Sequence, residues 1–534
     1  MEYKRIETTN YYVLFTFICL IAALLRFSGL TLRPMHTDEA VHALKFSSLL
    51  EEGYYRYDKH EYHGPTLNYF TLLPAWIKNQ ETLKSLNEST IRIIPAIFGT
   101  GLVLLLLLLK NGFGKPLILV IASLTAISSP MVFYSRYYIQ ETLLVCFTFG
   151  SVISIYRYIA TRKSGWLILT GAFLGLMHAS KETCLINLGM LLLAFIITLF
   201  IRFRKYQQIK SYLASFRLWH VMIIVVTAVI VSGLFYSSFL SNPAGIADSY
   251  ATYKTYFNRA GMNEFHIHPW YYYLRLLIFS KSPSGMIWSE IWILLPACYG
   301  CYSLIKKPDQ NQIHYYLILF LGIYTVLLAV IYSFIPYKTP WNMLGFYHGL
   351  IILAGYGIIR FYNLETKKWI SILIIIIFSI GALHMVWQSY VTNYKNYSDP
   401  FNPYVYAHTS EDIYKVTLKI DSVAMSCPEG KDILIEVIFP AHDYWPLPWY
   451  LRKYTNTGWW DSVDFQLPAA PIILASPEVE KDLIRKLYKI PPPGERYLYV
   501  PLFNQYLEIR PMIEIRGYIR KDVWDHYHQY KTRI

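Results

Sequence analysis

Apolar residues in this chain come in blocks of about 20 separated by short charged stretches, without the sustained alternation of a half-buried strand. A block of that length, wound at about 1.5 Å per residue, crosses roughly 30 Å of hydrocarbon. The pattern predicts about eleven spans, near residues 11–30, 91–109, 116–134, 141–159, 165–180, 183–201, 218–240, 284–305, 314–335, 342–359 and 369–388. Three stretches are too polar to span: 31–90, 241–283 and the tail from 389 to 534. In the first, residues 38–52 and 65–78 have the spacing of short amphipathic helices lying at the interface. The second is rich in Tyr and ends in His266-Ile267-His268-Pro269-Trp270. The tail mixes β-like runs at 433–439, 471–475, 497–500 and 512–515 with a helical stretch near 478–488. The expected organisation is a polytopic α-helical membrane unit over 1–388 followed by a small α/β domain over 389–534.

Composition narrows the class. Hydrophobic types make up 54% of the 534 residues and charged types 16%, which excludes disorder and an ordinary soluble enzyme, where about a quarter of residues are charged. The net charge of +14 points to orientation rather than nucleic acid, because many cations lie in clusters between apolar blocks. With Lys4 and Arg5 on the cytoplasmic side, Lys110 and Lys115, the Arg157 to Lys163 cluster, the Arg202 to Arg217 cluster, Lys306 and Lys307, and Arg360 to Lys368 all share that side. The three polar regions then lie outside the cell. The first block has no small-residue cleavage site and reads as a retained span. All six cysteines except Cys427 sit in or beside apolar segments, so no disulfide framework is visible.

Chemistry concentrates at the outer ends of the spans. In Met35-His36-Thr37-Asp38-Glu39-Ala40-Val41-His42, two carboxylates open a predicted helix, with Thr37 or Asp38 as cap and Glu39 favoured by the helix dipole. Adjacent helical positions diverge by about 100°, so one carboxylate can face a reacting group while the other braces the loop or binds a metal. Further charges stand in Ser135-Arg136-Tyr137-Tyr138-Ile139-Gln140-Glu141, in Ser180-Lys181-Glu182, and in Pro336-Tyr337-Lys338-Thr339-Pro340. Ionisable groups at such depth face an interior cavity and are candidates for function. No Walker loop or dinucleotide fingerprint is present. Acids and bases gathered at one membrane face suit an anionic headgroup whose apolar tail stays in the bilayer. A lipid-linked phosphate sugar meets both conditions: cations stabilise the departing phosphate and a carboxylate takes a proton from the acceptor. Phosphate leaves readily, so no general acid is needed, unlike in glycoside hydrolysis.

Together with His63-Gly64-Pro65-Thr66-Leu67-Asn68-Tyr69-Phe70, these segments resemble the GT-C superfamily of polyprenyl-phosphate-sugar glycosyltransferases, in the branch of protein O-mannosyltransferases and lipid A aminoarabinose transferases. Pro336 to Trp341 and the tail motif Trp445-Pro446-Leu447-Pro448-Trp449-Tyr450-Leu451-Arg452 resemble the archaeal subgroup associated with N-glycosylation and dolichyl-phosphate-sugar flipping. The resemblance covers essentially the whole chain. It implies Asp38 as the base or the residue that orients the acceptor, Glu39 as its catalytic partner, and Arg136, Tyr137, Glu141 and Lys181 at the donor phosphate, with Lys338 contributing. The chain departs from the pattern at His63, which is expected to take over at the donor phosphate the contact made by Lys in the aminoarabinose transferases, and at Glu141, where many relatives have Asp.

The expected function is transfer of one sugar from a dolichyl or undecaprenyl phosphate carrier to an extracytoplasmic protein, lipid or glycan, with inversion. The alternative is a non-catalytic accessory that binds lipid-linked sugar and aids its translocation. A secondary transporter would instead place charges near span centres. No cofactor is required by the pattern; a divalent metal held by His36, Asp38 and His42 is the open alternative, as positions 38 and 42 share a helix face. Trp445 and Trp449 are candidates for stacking on an acceptor. With 48 Tyr and 14 Trp, much of the aromatic load is also what membrane boundaries favour.

Overall fold

The computed structural model describes residues 8–532 except 61–62, 204, 215, 263–265, 307–312 and 365–366. Of the orientation cations, Lys4, Arg5, Arg204 and Lys307 lie outside the described residues. Eight helices among the described residues are long and apolar enough to cross a membrane, from Thr9–Phe27 to Trp369–Tyr394. Three shorter apolar helices, Lys115–Ile127, Gly165–His178 and Ile291–Lys306, stand at the remaining expected positions. The first of these stops because Ser128 is extended and Pro130 cannot continue its ladder; Pro130 instead opens a new helix, Ser129–Tyr134.

Small residues let the helices approach. Gly171 and Gly175, four apart on Gly165–His178, face Leu218–Tyr236 so closely that added Cβ atoms would lie 2.5 Å from the Ile224 carbonyl oxygen and 2.6 Å from that of Ala228. In lipid, where apolar surface gains little by leaving apolar solvent, such close backbone contact is what holds two helices together.

The first outer loop folds as expected into helices Thr37–Glu52 and Thr66–Ile77. Its cap differs from expectation: His36 is the N-cap, and its Nδ1 accepts from the Asp38 N–H while Glu39 accepts from the His36 N–H, a reciprocal capping box. The loop at 241–283 contains a helix, Ala244–Met262. The last apolar helix runs Lys368–Tyr394, past the expected end of the membrane unit.

The tail holds a five-stranded sheet ordered Thr457–Trp460, Ile435–Ile438, Ile472–Ala475, Arg516–Arg520, Tyr499–Pro501. The first three strands are parallel and the last two antiparallel to their neighbours. Ile435–Ile438 and Ile472–Ala475 are buried on both faces; the second reads as a continuous apolar run, and the first does so apart from Glu436, which pairs with Lys486 at 2.6 Å. Thr457–Trp460 and Arg516–Arg520, carrying Gly, Trp, Tyr and Arg, did not show that signature, nor did the helix Asp412–Ser426. The apolar side of the tail shares one core with the first outer loop, joining Met35, Ala40 and Phe46 to Ile413, Ile435 and Trp449.

A carboxylate outside the sequence motifs fixes the link between membrane body and tail. Glu290, 1% exposed, accepts from Tyr347 Oη at 2.6 Å, Tyr404 Oη at 2.6 Å and Gln388 Nε2 at 2.8 Å. Three donors on three segments satisfy a buried acid that would otherwise be costly. They also hold the stretch Tyr404 to His408 between two loops: the Tyr406 carbonyl lies 3.1 Å from His36 Nε2 of the first, and Tyr406 Oη meets His266 Nδ1 at 2.6 Å and His268 Nε2 at 3.0 Å of the second.

Candidate active site

The two neighbouring carboxylates of the first loop have opposite surroundings. Glu39 is fully buried. Its Oε1 accepts from Arg33 Nη2 at 3.0 Å, Arg92 Nε at 2.8 Å and the Tyr138 N–H at 2.8 Å. Its Oε2 accepts from Arg92 Nη2 at 2.7 Å and the His36 N–H at 3.0 Å. Burial alone would raise its pKa, but Arg33 and Arg92 outweigh that and hold it at about 2. Asp38, one residue away, leaves 44% of its side chain exposed. Its charge reaches His36, His42, Tyr137, His266 and Tyr337, which come from four separate segments. Asp38 therefore stands at a mouth, and Glu39 ties the loop beneath it to two spans.

A second charged group lies beside this mouth. Lys181 Nζ pairs with Glu141 Oε1, and both side chains are buried. His63 Nδ1 donates to Glu182 Oε2 at 2.7 Å, and Tyr57 Oη to Glu182 Oε1 at 3.5 Å. Burial pushes Glu182 upward, yet His63 and Lys181 hold it below the usual carboxylate range. His42 bridges the two groups: its ring centre is 5.8 Å from that of His63, and it feels Asp38, Lys181 and Glu182. Gly64 makes the arrangement possible, since a Cβ there would run into the Ala179 carbonyl, which accepts from the Thr66 N–H at 3.1 Å. Gly64→Ala is expected to push the His63 turn off Ala179, cost about 1–3 kcal/mol, and weaken donor binding, as read by thermal unfolding and a binding titration.

A family model described as dolichyl-phosphate-mannose-protein mannosyltransferase matches residues 16–241, the stretch that carries both groups. ArnT from Cupriavidus metallidurans, solved bound to undecaprenyl phosphate, shares the fold with a TM-score of 0.60 at 14% identity, over 96% of this chain and 98% of that one. The chain therefore has the fold of this lipid-phosphate-dependent transferase, and its residues 16–241 match the mannosyltransferase family model. The archaeal oligosaccharyltransferase AglB from Archaeoglobus fulgidus, in complex with an inhibitory peptide and a dolichol-phosphate, also shares the GT-C fold, with a TM-score of 0.53 at 11% identity over 88% of this chain and 70% of that one. No curated protein matches the sequence.

Several expected site residues stand elsewhere than the mouth. Arg136 donates to the carbonyls of Leu25 at 3.1 Å, Ser28 and Gly29 at 2.9 Å and to Tyr394 Oη at 3.2 Å, so its donors anchor the end of the first span. Tyr137 is buried under the Arg33 guanidinium, 3.7 Å from its ring centre, with its hydroxyl 3.3 Å from His408 Nδ1. Lys338 caps the carbonyls of His268 at 2.9 Å and Ile335 at 2.5 Å, and burial lowers its pKa. Trp449 is fully buried, donates to Glu88 at 2.8 Å and lies under Arg452, so it is core rather than an acceptor platform. Trp445 packs partly buried against the same core.

The proposed metal ligands do not fit a metal. His36 Nδ1 accepts from the Asp38 N–H at 3.0 Å and Nε2 donates to the Tyr406 carbonyl at 3.1 Å, which leaves no lone pair for an ion. Among the described residues no three His, Cys, Asp or Glu side chains are placed to hold one.

Arg33, Arg92 and Tyr57 were missed in the sequence. Arg92 sits one residue inside an expected span, at a position indistinguishable from a snorkelling cation until Glu39 is seen opposite it. His42 carries a pH consequence. Burial first, then the charges of His63 and Lys181, lower it from 6.5 to about 3. Between those values the unfolded chain takes up a proton that the folded chain refuses, so stability falls as pH drops through the window. His42→Gln is expected to flatten that part of the slope in thermal unfolding measured against pH.

Proposed function

We propose that this GT-C protein moves one sugar from a polyprenyl phosphate carrier, dolichyl or undecaprenyl, to an acceptor on the extracytoplasmic face, and that single displacement inverts the anomeric centre. The observation that carries this reading is the split between neighbours: Glu39 is buried and fully bonded while Asp38 is half-exposed beside the Lys181–Glu141 and His63–Glu182 pairs. Asp38 takes the proton from the attacking acceptor. Lys181, steadied by Glu141, and His63 when protonated oppose the charge that collects on the departing phosphate. Glu39 is the brace that aims Asp38 rather than a second reacting group, and Arg136 acts through the same scaffold. The undecaprenyl phosphate and dolichol-phosphate bound to ArnT and AglB support the donor class, and the peptide on AglB favours a protein acceptor among protein, lipid and glycan. The positive clusters support an orientation with the N-terminus in the cytoplasm and the tail outside.

Membranes carrying the protein are to be offered a radiolabelled panel of polyprenyl phosphate sugars with an acceptor extract. Consumption of one donor, with a product of opposite anomeric configuration by NMR, is the expected result. Binding and translocation of the sugar lipid without transfer would replace this reading with that of a non-catalytic accessory.

A further inference from the structure

On the far side of the Arg33–Tyr137 stack, between the ends of the first and last spans, lies a narrow, shallow cleft lined by Gly29, Arg33, Arg92, Arg136, Asn393 and Tyr397 among others. Around it the charges do not balance. Arg26, Arg33, Arg92 and Arg136 are all buried, at 0%, 6%, 1% and 6% exposure, and Glu39 is the carboxylate buried with them. Two other acids stand nearby: Glu88 is bound by Trp449, and the exposed Glu411 is bound by Ser398. Arg26 donates to the carbonyls of Ala22, Thr125 and Ala126, and Arg136 to those of Leu25, Ser28 and Gly29. Carbonyls answer the hydrogen bonds of these groups, not their charge, and an uncompensated buried cation is costly.

Two polar atoms at the cleft residues are also left over. Among the described residues, Arg33 Nη1 is a buried donor without a partner and Asn393 Oδ1 a buried acceptor without one, its Nδ2 being committed to the Ser389 carbonyl at 2.8 Å. A group that is anionic yet carries an O–H answers both: its charged oxygen takes the guanidinium hydrogen and its hydroxyl donates to Asn393. Phosphate with a free hydroxyl has that chemistry; sulfate and phosphodiesters do not.

We propose that this cleft is a second anion site, separate from the Asp38 mouth, which takes a phosphate bearing a hydroxyl, either free or at the head of a membrane lipid. One or two oxygens enter between Arg33 and Asn393 while the rest of the group stays at the opening. Occupancy neutralises the arginine cluster and stiffens the junction of the first and last spans, which lies behind the catalytic loop.

The test uses the full chain, purified and delipidated in detergent at constant ionic strength. Inorganic phosphate is expected to raise Tm by about 3 °C at saturation, and sulfate by clearly less. Asn393→Asp supplies the missing negative charge from within; it is expected to be more stable than Asn393→Leu in the absence of phosphate and to lose the phosphate response. In nanodiscs, stabilisation by phosphatidate over phosphatidylcholine with no added effect of free phosphate identifies a lipid source, and stabilisation by free phosphate alone identifies the soluble one. No response of the wild type to either, equal responses to phosphate and sulfate, a phosphate response that survives in Asn393→Asp, or an Asn393→Asp protein less stable than Asn393→Leu each overturns the proposal.

Discussion

Asp38→Asn is expected to lower sugar transfer by about 10²–10⁴-fold, the range typical of losing a positioned general base, while donor affinity and Tm stay near wild type. The substitution keeps shape and removes only charge and basicity. Nothing structural depends on that charge: the backbone N–H of Asp38, not its carboxylate, completes the capping turn with His36, and the carboxylate stands 44% exposed. The basic nitrogen that stands near it among the described residues, His36 Nδ1 at 3.8 Å, is accepting a hydrogen bond and so carries no proton to pair with. Single-turnover transfer and a donor-binding titration on the same preparation check it. Loss of donor binding in parallel with turnover would assign Asp38 to the phosphate site instead.

Glu39→Gln, one position along, is expected to do the reverse and to prevent stable folding. A neutral amide presents one acceptor oxygen where the carboxylate presents two, and it leaves Arg33 and Arg92 buried without their counter-charge. Breaking a buried pair from one side costs about 3–5 kcal/mol, and here two cations and two backbone N–H groups are affected at once. The same carboxylate makes the protein acid-sensitive. Because its pKa falls from 4.5 to about 2 on folding, its contribution is fully present above 4.5 and is lost as pH falls toward 2. Monodisperse yield after gel filtration and Tm against pH measure both effects. A Glu39→Gln protein that folds normally but is inactive would move Glu39 from scaffold to chemistry. The contrast between the two variants is the strongest separation of roles that this loop allows.

Much of the architecture was legible without coordinates because bilayer thickness acts on every span in the same way. A run of about 20 apolar residues has one economical use, and so the apolar helices fall where hydropathy alone put them. Helices Thr37–Glu52 and Thr66–Ile77 were visible for a similar local reason, their 3.6-residue periodicity. The tail was legible only where strands are buried on both faces; Thr457–Trp460, intermediate in exposure along its length, carries no such pattern.

The site divides along the same line. That Asp38 and Glu39 could not share one task followed from the angle between adjacent helical positions. Which of them meets solvent was decided by Arg92, 53 residues further along, whose guanidinium reaches Glu39 from another helix. Arg136 and Trp449 looked functional because cations and aromatics at a membrane face are ambiguous in sequence, and their partners, Gly29 and Glu88, are remote in the chain. Local hydropathy and charge were enough to say which segments are apolar spans and which polar stretches carry the candidate residues. Tertiary structure alone decided which charges are neutralised inside and which remain free to act, because a buried charge takes its meaning from partners that only the packing of distant segments supplies.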